Sequence, residues 1–413
     1  MLDNKKNFYP PYVVLAITYL YFIIFAFLVD TPKEIIEGLF KIVVSPDILI
    51  SDYMEIGGIG ATLVNATITG GVCLLFLVKN KVKPNGSTIM ALWLVTAFAF
   101  LGKNFLNIMP VLLGVYLFSR YQKEPFLNYI LVAMLGTSLA PAVSQLSFAT
   151  MLPTKVSIIV GILLGVGLGF ILPPVASHSI KAHNGYNLYN VGFASGLLAT
   201  LLMSVLRGLG INFEKRLLWH TGDNFILFIF LLIISLYLIV IGVYKGGYDK
   251  KKFKMMTSQS GRLVSDFYLL FGATTYINMG ILCIFSTCVV LILGGDLNGG
   301  TICGILTIVG FGSFGKNIKN VTPIILGAII GGIFIKGPVN APGNMLAILF
   351  STCLAPIAGQ FGSLIGILVG IVHINIVSNI GYIHGGLNLY NNGLAGGFVA
   401  MILIPLITTF KKE

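Results

Sequence analysis

A motif rich in histidine, asparagine and tyrosine occurs twice in the sequence, and the second copy starts 201 positions after the first. The first copy occupies 183–196 and the second 384–397, and nine of their fourteen positions are identical. The side chains that can exchange protons or hydrogen bonds recur in both: His183 and His384, Asn187 and Asn388, Tyr189 and Tyr390. In membrane proteins, duplicated polar motifs of this kind typically face one substrate path from two sides.

A second duplicated motif, Gly-Lys-Asn, places Lys103 and Lys316 inside apolar segments that hold no acidic residue nearby. A charged side chain at mid-membrane costs about 2.5–3.5 kcal/mol on insertion scales, so each lysine needs a polar cavity or a partner. Asn104 and Asn317 are suited to cap the helix that follows, and a capped helix start beside a lysine favours an anion. We therefore expect both lysines to face an internal cavity. The alternative is a lysine that snorkels to the interface or donates to backbone carbonyls.

A third pair of motifs, Leu-Ala-Pro, lies in the middle of two other apolar segments. Each proline removes a backbone donor and frees a carbonyl four residues earlier. A threonine and a glutamine, each four residues from the proline, fall on the same helical face. This pattern predicts a kinked helix that lines a pore, or else a simple packing kink. The residues concerned are Thr137, Gln145, Thr352 and Gln360.

The histidine motif is too polar to face lipid, and it leads into a helix rich in glycine. Asn190 and Asn391 are candidate N-caps of those helices. Each histidine either forms a structural hydrogen bond or takes part in proton coupling or substrate contact. We expect Asn187 and Asn388, with the neighbouring tyrosines, to line two pseudo-symmetric vestibules or the path between them. Glycines spaced four apart predict helix packing ridges at Gly161, Gly165, Gly169, Gly366 and Gly370.

The composition is that of a membrane protein: 56% of residues are hydrophobic and 10% are charged, and the mean hydropathy is +0.94. Twelve apolar segments follow one another with no polar insertion long enough for a soluble domain. The net charge of +12 comes largely from short loops, so it indicates membrane topology and argues against nucleic-acid binding. The five cysteines show no metal-type pairing, and we expect no cofactor, no metal and no enzymatic activity.

Because these motifs recur in the same order, the sequence predicts two repeats, 1–210 and 211–413. Loop 31–56 has two basic residues and its counterpart 245–266 has six, whereas residues 79–83 have three and their counterpart 294–299 has none. Since cytoplasmic loops are enriched in Lys and Arg, the repeats should have inverted topology. Both termini, beside Lys5-Lys6 and Lys411-Lys412, are then cytoplasmic in the cell membrane.

Inversion requires an odd number of spans in each repeat, but each repeat has six apolar segments. Segments 88–119 and 301–335 consist of two arms of about a dozen residues around Gly-Lys-Asn. Such an arm is too short to cross a hydrocarbon core of about 30 Å. The sequence therefore predicts an all-α membrane protein with about five spans per repeat plus one re-entrant hairpin. A single kinked span is the alternative for that segment.

The paired motifs resemble, over nearly the whole chain, a prokaryotic integral-membrane family of unknown function, a likeness that implies no activity. The inferred architecture also looks like that of urea transporters, at the level of the fold only. That likeness implies a passive channel and a homo-oligomer, dimeric or trimeric.

The leading interpretation is a transporter or channel for a small polar solute, held in the lipid bilayer, with its path between the repeats. In the leading interpretation the solute is an anion. In the alternative it is a neutral molecule, as in a urea- or ammonium-type channel. An intramembrane enzyme is the remaining hypothesis, and the duplicated polar residues argue against it because catalysis needs one asymmetric set of groups.

Overall fold

The computed structural model describes residues 10–150, 153–263, 265–335 and 337–410. Within these ranges the chain forms helices and no β-strand, and ten helical stretches are long and apolar enough to cross a membrane. Five of these lie before residue 210 and five after it. The protein is thus an all-α multi-pass membrane protein. The two terminal lysine pairs and Val264, inside the basic loop, lie outside the described residues.

The described residues of the first half form ten α-helices, and 3₁₀ turns precede and follow the seventh. The α-helices are α1 Pro10–Val29, α2 Pro32–Val44, α3 Tyr53–Gly57, α4 Ile59–Lys79, α5 Gly86–Phe98, α6 Phe105–Tyr121, α7 Ile130–Gly136, α8 Ala140–Phe148, α9 Thr154–Ala182 and α10 Asn190–Gly208.

The second half repeats the same order of long, short and broken helices. These are α11 Asn224–Gly246, α12 Lys250–Thr257, α13 Phe267–Phe271, α14 Thr274–Ile292, α15 Gly299–Phe311, α16 Ile318–Ile333, α17 Pro342–Phe350, α18 Ala355–Phe361, α19 Ser363–Ile380 and α20 Asn391–Phe410.

Helices α5 and α6 form a re-entrant hairpin, and so do α15 and α16. Phe126, just beyond α6, packs its ring 5.6 Å from that of Phe76 in the last turns of α4. The chain therefore leaves the hairpin on the side where it entered. In the second half, the Asn340 side chain donates to the Gly294 carbonyl at 2.7 Å, which brings the end of α16 back beside the end of α14. The hairpin prediction is confirmed over the single kinked span.

Local chemistry ends and restarts the helix at each hairpin tip. Gly102 and Gly315 adopt positive φ angles of 83° and 105°, a conformation that glycine tolerates and that stops an α-helix. Asn104 and Asn317 then cap the second arm, each accepting two backbone N–H bonds and forming a capping box with the asparagine three residues on. Their predicted role as N-caps is confirmed.

The Leu-Ala-Pro motifs break a span in each half. Pro141 and Pro356 are the second residues of α8 and α18, each of which follows a short 3₁₀ turn directly, and a missing N–H costs nothing in the first turn of a helix. The predicted kink is present as a break between α7 and α8 and between α17 and α18. The carbonyls without a partner inside their own helix are those of Ser138 and Cys353, three residues before each proline. The sequence predicted the carbonyl four residues before the proline.

Glycines let the second arm of each hairpin pack closely on the span that follows the broken one, α9 or α19. Gly169 of α9 packs on α6, where an added Cβ would collide with the Val111 carbonyl oxygen. Gly370 of α19 packs on α16 in the same way, against the Ile324 carbonyl. The predicted packing ridges are confirmed. Both contacts keep the hairpins against the rest of their own half.

Counterpart helices meet in antiparallel pairs at the centre of the molecule. The Ser313 hydroxyl, just beyond the end of α15, donates to the Gly86 carbonyl at the start of α5 at 2.9 Å. Helices α1 and α11 are also antiparallel, since Tyr237 donates to the Val14 carbonyl at 3.2 Å and Tyr21 stacks on Phe230. This arrangement is the one expected of inverted repeats, while the orientation in the membrane remains a prediction.

Candidate functional site: two cavities between the halves

The lysine of each hairpin tip reaches a tyrosine of the opposite half. Lys103 Nζ donates to the Tyr390 hydroxyl at 2.9 Å and lies 4.7 Å from the centre of that ring. Lys316 Nζ donates to the hydroxyls of Tyr189 and Thr352, both at 2.7 Å, and lies 4.6 Å from the Tyr189 ring centre. Two of the duplicated motifs therefore meet, each across the interface between the halves.

Both lysines are fully buried, and neither forms an ion pair among the residues that the structure describes. Aromatic rings surround each ammonium: the centre of the Phe98 ring lies 5.2 Å from Lys103 Nζ, and that of the Phe311 ring lies 4.8 Å from Lys316 Nζ. Hydroxyl oxygens and ring faces supply the negative electrostatic environment that an acid would otherwise give. The structure does not place either lysine on the wall of the cavities described below, so the expectation of an open lysine cavity is corrected.

Two asparagines at equivalent positions of the two halves hold the hairpin tips in place. Asn65 of α4 donates to the carbonyls of Ala99 and Lys103, at 2.8 and 2.9 Å. Asn278 of α14 donates to those of Gly312 and Lys316, at 2.9 and 2.8 Å. Their duplication within apolar spans was the available signal, because buried amides require partners.

Asn187 and Asn388 join the two halves and do not line a vestibule. The Asn187 amide donates to the Gly393 carbonyl at 2.9 Å, and the Asn388 amide donates to the Gly192 carbonyl at 3.4 Å. Each also accepts the N–H of the tyrosine two residues on. Both are fully buried, so the vestibule prediction is corrected for the asparagines.

The backbone beside these asparagines completes the link between the halves. The Leu188 N–H donates to the Cys353 carbonyl, and the Leu389 N–H donates to the Ser138 carbonyl. These are the carbonyls freed by the broken helices. Each broken helix therefore holds the tyrosine motif of the opposite half next to the lysine that binds it.

The histidines of the duplicated motif orient a neighbouring asparagine. His183 Nε2 bonds to Asn190 Oδ1 at 2.9 Å, and the Asn190 amide donates to the Ala176 carbonyl, so the imidazole nitrogen is the donor. His384 and Asn391 form the same pair at 2.8 Å. Burial lowers the pKa of both imidazoles, which favours their neutral form. Asn190 and Asn391 are therefore the first residues of α10 and α20 but not side-chain caps, which corrects that prediction.

The glutamines of the third motif lie away from the lysines. Gln145 donates to the Pro46 carbonyl at 3.2 Å, and Gln360 is exposed at the end of α18. The broken helix changes the angular position of the residues after the proline, so a helical face drawn from the threonine no longer continues to the glutamine. Thr352 does reach Lys316, whereas Thr137 donates to the Met134 carbonyl at 2.6 Å.

Two cavities lie between the halves, one along α5 and the other beyond the C-terminal end of α5. The lower cavity, of about 220 Å³, is bordered by Ser87 at the start of α5 and by Tyr189 and Tyr390. The upper cavity, of about 950 Å³, is bordered by Leu101 beyond the end of α5 and by Arg207 and Arg216. The loop charges predict that the upper cavity opens to the outside. The tyrosines thus border a cavity, as expected, and stand between it and the lysines.

Three residues border both cavities and therefore separate them: Phe350, Leu389 and Asn392. Asn392 is held by His373 at 2.9 Å, a histidine without a counterpart that sequence reasoning set aside. Phe350 packs on Phe98 with ring centres 5.5 Å apart. The doubled asparagine at 391–392, where the first copy has Asn-Val, was the signal for Asn392. Phe350 had none.

The two cavities differ in charge. Among the residues bordering the upper cavity are three basic side chains and one acidic side chain: Arg207, Lys215, Arg216 and Glu214. The described residues bordering the lower cavity include no charged side chain. The upper cavity therefore favours solutes that carry acceptor oxygens.

Each half also supplies an aspartate to the first hairpin arm of the other. Asp266 accepts the Gly86 N–H through both carboxylate oxygens at 2.9 Å, and the Asp52 carboxylate is hydrogen-bonded to the Gly299 N–H. A carboxylate at a helix start is favoured by the helix dipole. Burial nevertheless raises the pKa of Asp52 to about 6.

Residues 31–208 and 249–409 match the model of a family described as Protein of unknown function (DUF1576). The chain belongs to this family. Each matched stretch contains one hairpin, one broken helix and one Asn-Leu-Tyr-Asn motif. No curated protein and no solved structure matches the chain. Membership agrees with the sequence resemblance and assigns no activity.

Proposed function

We propose that the protein is a membrane transporter for a small polar solute that passes between its two halves. The observation that carries this proposal is the pair of cavities between the halves, one along α5 and one beyond its C-terminal end, separated by Phe350, Leu389 and Asn392. Ligand sites in transporters built from inverted repeats lie near the bilayer midplane where broken helices meet, and each broken helix of this chain bonds to the tyrosine motif of the opposite half. The lower cavity is smaller than a drug-sized pocket of about 300 Å³ or more, which favours a solute of few heavy atoms.

The solute in this proposal is an anion or carries acceptor oxygens. Basic side chains outnumber acidic ones around the upper cavity and would raise the local concentration of such a solute. The lysines contribute indirectly, because each orients a tyrosine hydroxyl that borders the lower cavity. The alternative is a passive channel for a neutral solute such as urea, which the uncharged lower cavity favours.

Uptake into proteoliposomes that contain the purified protein distinguishes the two. We expect uptake of a small anion from a panel of small anions, urea, ammonium and amines. Arg207→Gln should reduce this uptake several-fold, whereas Lys33→Gln, at a lysine of α2 whose side chain is 86% exposed, should not. Uptake of urea with exclusion of anions would support the neutral-solute channel, and uptake of none would contradict the proposed function.

A further inference from the structure

Asp47 is a fully buried carboxylic acid between α2 and α3, and none of the roles described above uses it. Its Oδ2 accepts three hydrogen bonds: from the Tyr53 hydroxyl at 2.9 Å, from the Ser144 hydroxyl at 3.0 Å and from the Asn107 amide at 3.1 Å. Its Oδ1 has no hydrogen-bond partner within the described part of the chain. A buried carboxylate oxygen without a donor is costly, and a proton on Oδ1 removes that cost.

The groups around the carboxyl leave both protonation states accessible. The titratable or charged groups that act on it are Tyr53, from α3, and Arg216, from the segment before α11, while α6 and α8 present the neutral Asn107 and Ser144. Burial raises the pKa of Asp47 to about 7, and the hydrogen bonds and Arg216 limit the rise. All three hydrogen-bonding neighbours donate, an arrangement that suits a carboxyl group better than a metal ion, which needs several oxygen ligands.

Asp47 lies next to the wall of the upper cavity. Residues 48–50 and Arg216 border that cavity, and Arg216 donates to the Ser45 hydroxyl and the Pro46 carbonyl, at 3.1 and 3.4 Å. A proton from water in the upper cavity therefore needs to pass only this thin wall.

Asp47 also links two parts of the first half, the hairpin tip that carries Lys103 and the broken helix α8. Asn107, three residues after Asn104 of the tip, belongs to the capping box of α6, and Ser144 lies on the broken helix α8. Protonation of the carboxyl converts charge-assisted hydrogen bonds into weaker neutral ones. It would loosen the connection between the hairpin tip and α8.

The second half has no acid at the equivalent place. There the Asn320 amide donates to the backbone carbonyl of Ser260 at 3.2 Å, and Gly359, the counterpart of Ser144, packs on Ser260. The hairpin scaffold is therefore duplicated, but the titratable group is not. If Asp47 served only to hold the hairpin scaffold together, the same kind of group would be expected at the equivalent place in both halves.

We propose that Asp47 is a proton-binding site, loaded from the upper cavity, that controls the first-half hairpin tip. The predicted effect on uptake rests on the proposed transport function, whereas the binding of a proton by Asp47 does not. The ionised carboxylate holds the tip and α8 together and slows uptake. The proton on Oδ1 releases them, so uptake rises as the pH on the upper side falls.

Infrared spectroscopy of the purified full-length protein tests the proton site without any transport assay. The carbonyl stretching band of a protonated carboxylic acid should contain a component that vanishes as the pH rises through about 7, and Asp47→Asn should lack this component. Asp52→Asn, which removes a buried carboxyl whose pKa is raised only to about 6, should keep it. A component titrating near pH 7 that persists in Asp47→Asn, or its absence from the native protein, overturns the proposal.

A second variant tests the site without altering the buried acid. Arg216→Gln removes the positive charge that favours the carboxylate, so the midpoint of the band should move to higher pH. Lys215→Gln removes the same charge one residue away and should move the midpoint less. An unchanged or lower midpoint in Arg216→Gln contradicts the proposal, even where Asp47→Asn does not fold.

Uptake measurements then test whether protonation of Asp47 controls transport. In proteoliposomes, native uptake should rise several-fold as the pH on the upper side falls from mildly alkaline to mildly acidic, and Asp47→Asn should be fast at every pH. Native uptake without pH dependence overturns the control of the tip. A titrating band together with no uptake of any solute upholds the proton site and refutes the proposed function.

Discussion

The two hairpin tips share one backbone design and differ in the chemistry around it. At both tips a positive-φ glycine ends the first arm, an asparagine caps the second, and an asparagine of the preceding span binds two carbonyls. Lys103, however, has one hydroxyl partner and Lys316 has two. Within the described part of the chain, a buried acid adjoins only the first tip. The scaffold was retained in both copies while the polar groups diverged, as a path entered from two different sides would require.

The largest and most symmetric loss of stability is expected where the hairpins pack on α9 and α19. Gly169→Ala and Gly370→Ala each force a methyl group against a backbone carbonyl and should destabilise the protein by about 1–3 kcal/mol, to a similar extent in both halves. Thermal unfolding of the purified variants measures this effect. Gly167→Ala, whose methyl group would meet nothing within 4 Å, is the control. Unequal losses at Gly169 and Gly370 would mean that the two scaffolds are not equivalent.

The tyrosines should show the asymmetry of the lysines. Tyr390→Phe removes the hydrogen-bond partner of Lys103, whereas Tyr189→Phe leaves Lys316 bonded to Thr352. Leaving a buried donor unpaired costs about 1–3 kcal/mol, and more for a charged one, so Tyr390→Phe should lower the unfolding temperature further. Tyr121→Phe, at an exposed tyrosine of α6, serves as the control. An equal or larger loss for Tyr189→Phe would contradict the comparison.

Smaller effects are expected at the asparagines that join the halves. The contact of Asn187 with the opposite carbonyl measures 2.9 Å and that of Asn388 measures 3.4 Å, so Asn187→Ala should be the more destabilising. The loss should be about 1 kcal/mol, the net value of a typical hydrogen bond. Uptake should fall only in proportion to the folded fraction. Reduced uptake by a fully folded protein would return these asparagines to the solute path.

The sequence predicted the features that depend on local chemistry or on recurrence. Gly-Lys-Asn within two short arms indicated the hairpins, because a short helix cannot cross the membrane and asparagine caps a helix. The proline motifs indicated the breaks, and spaced glycines indicated the close helix contacts.

The partners across the interface could not be predicted in the same way. Lys103 and Tyr390 lie 287 positions apart, and nothing local selects Tyr390 over other buried hydroxyls. Helical periodicity placed Gln360 beside Thr352, but a 3₁₀ turn and a new helix intervene. Asp47 lay in a segment read only as a loop, and its burial depends on α3, α6 and α8 meeting there.

The central claim is that solute passes between the halves at Leu389, which borders both cavities. The most direct test is uptake of the transported solute into proteoliposomes by Leu389→Trp and Leu389→Ala, with Leu201→Trp, on an exposed face of α10, as the control for a bulky substitution. We predict that the tryptophan at 389 stops uptake, that the alanine raises it and that the control transports as the native protein does. Native uptake by both Leu389 variants would contradict a path between the halves.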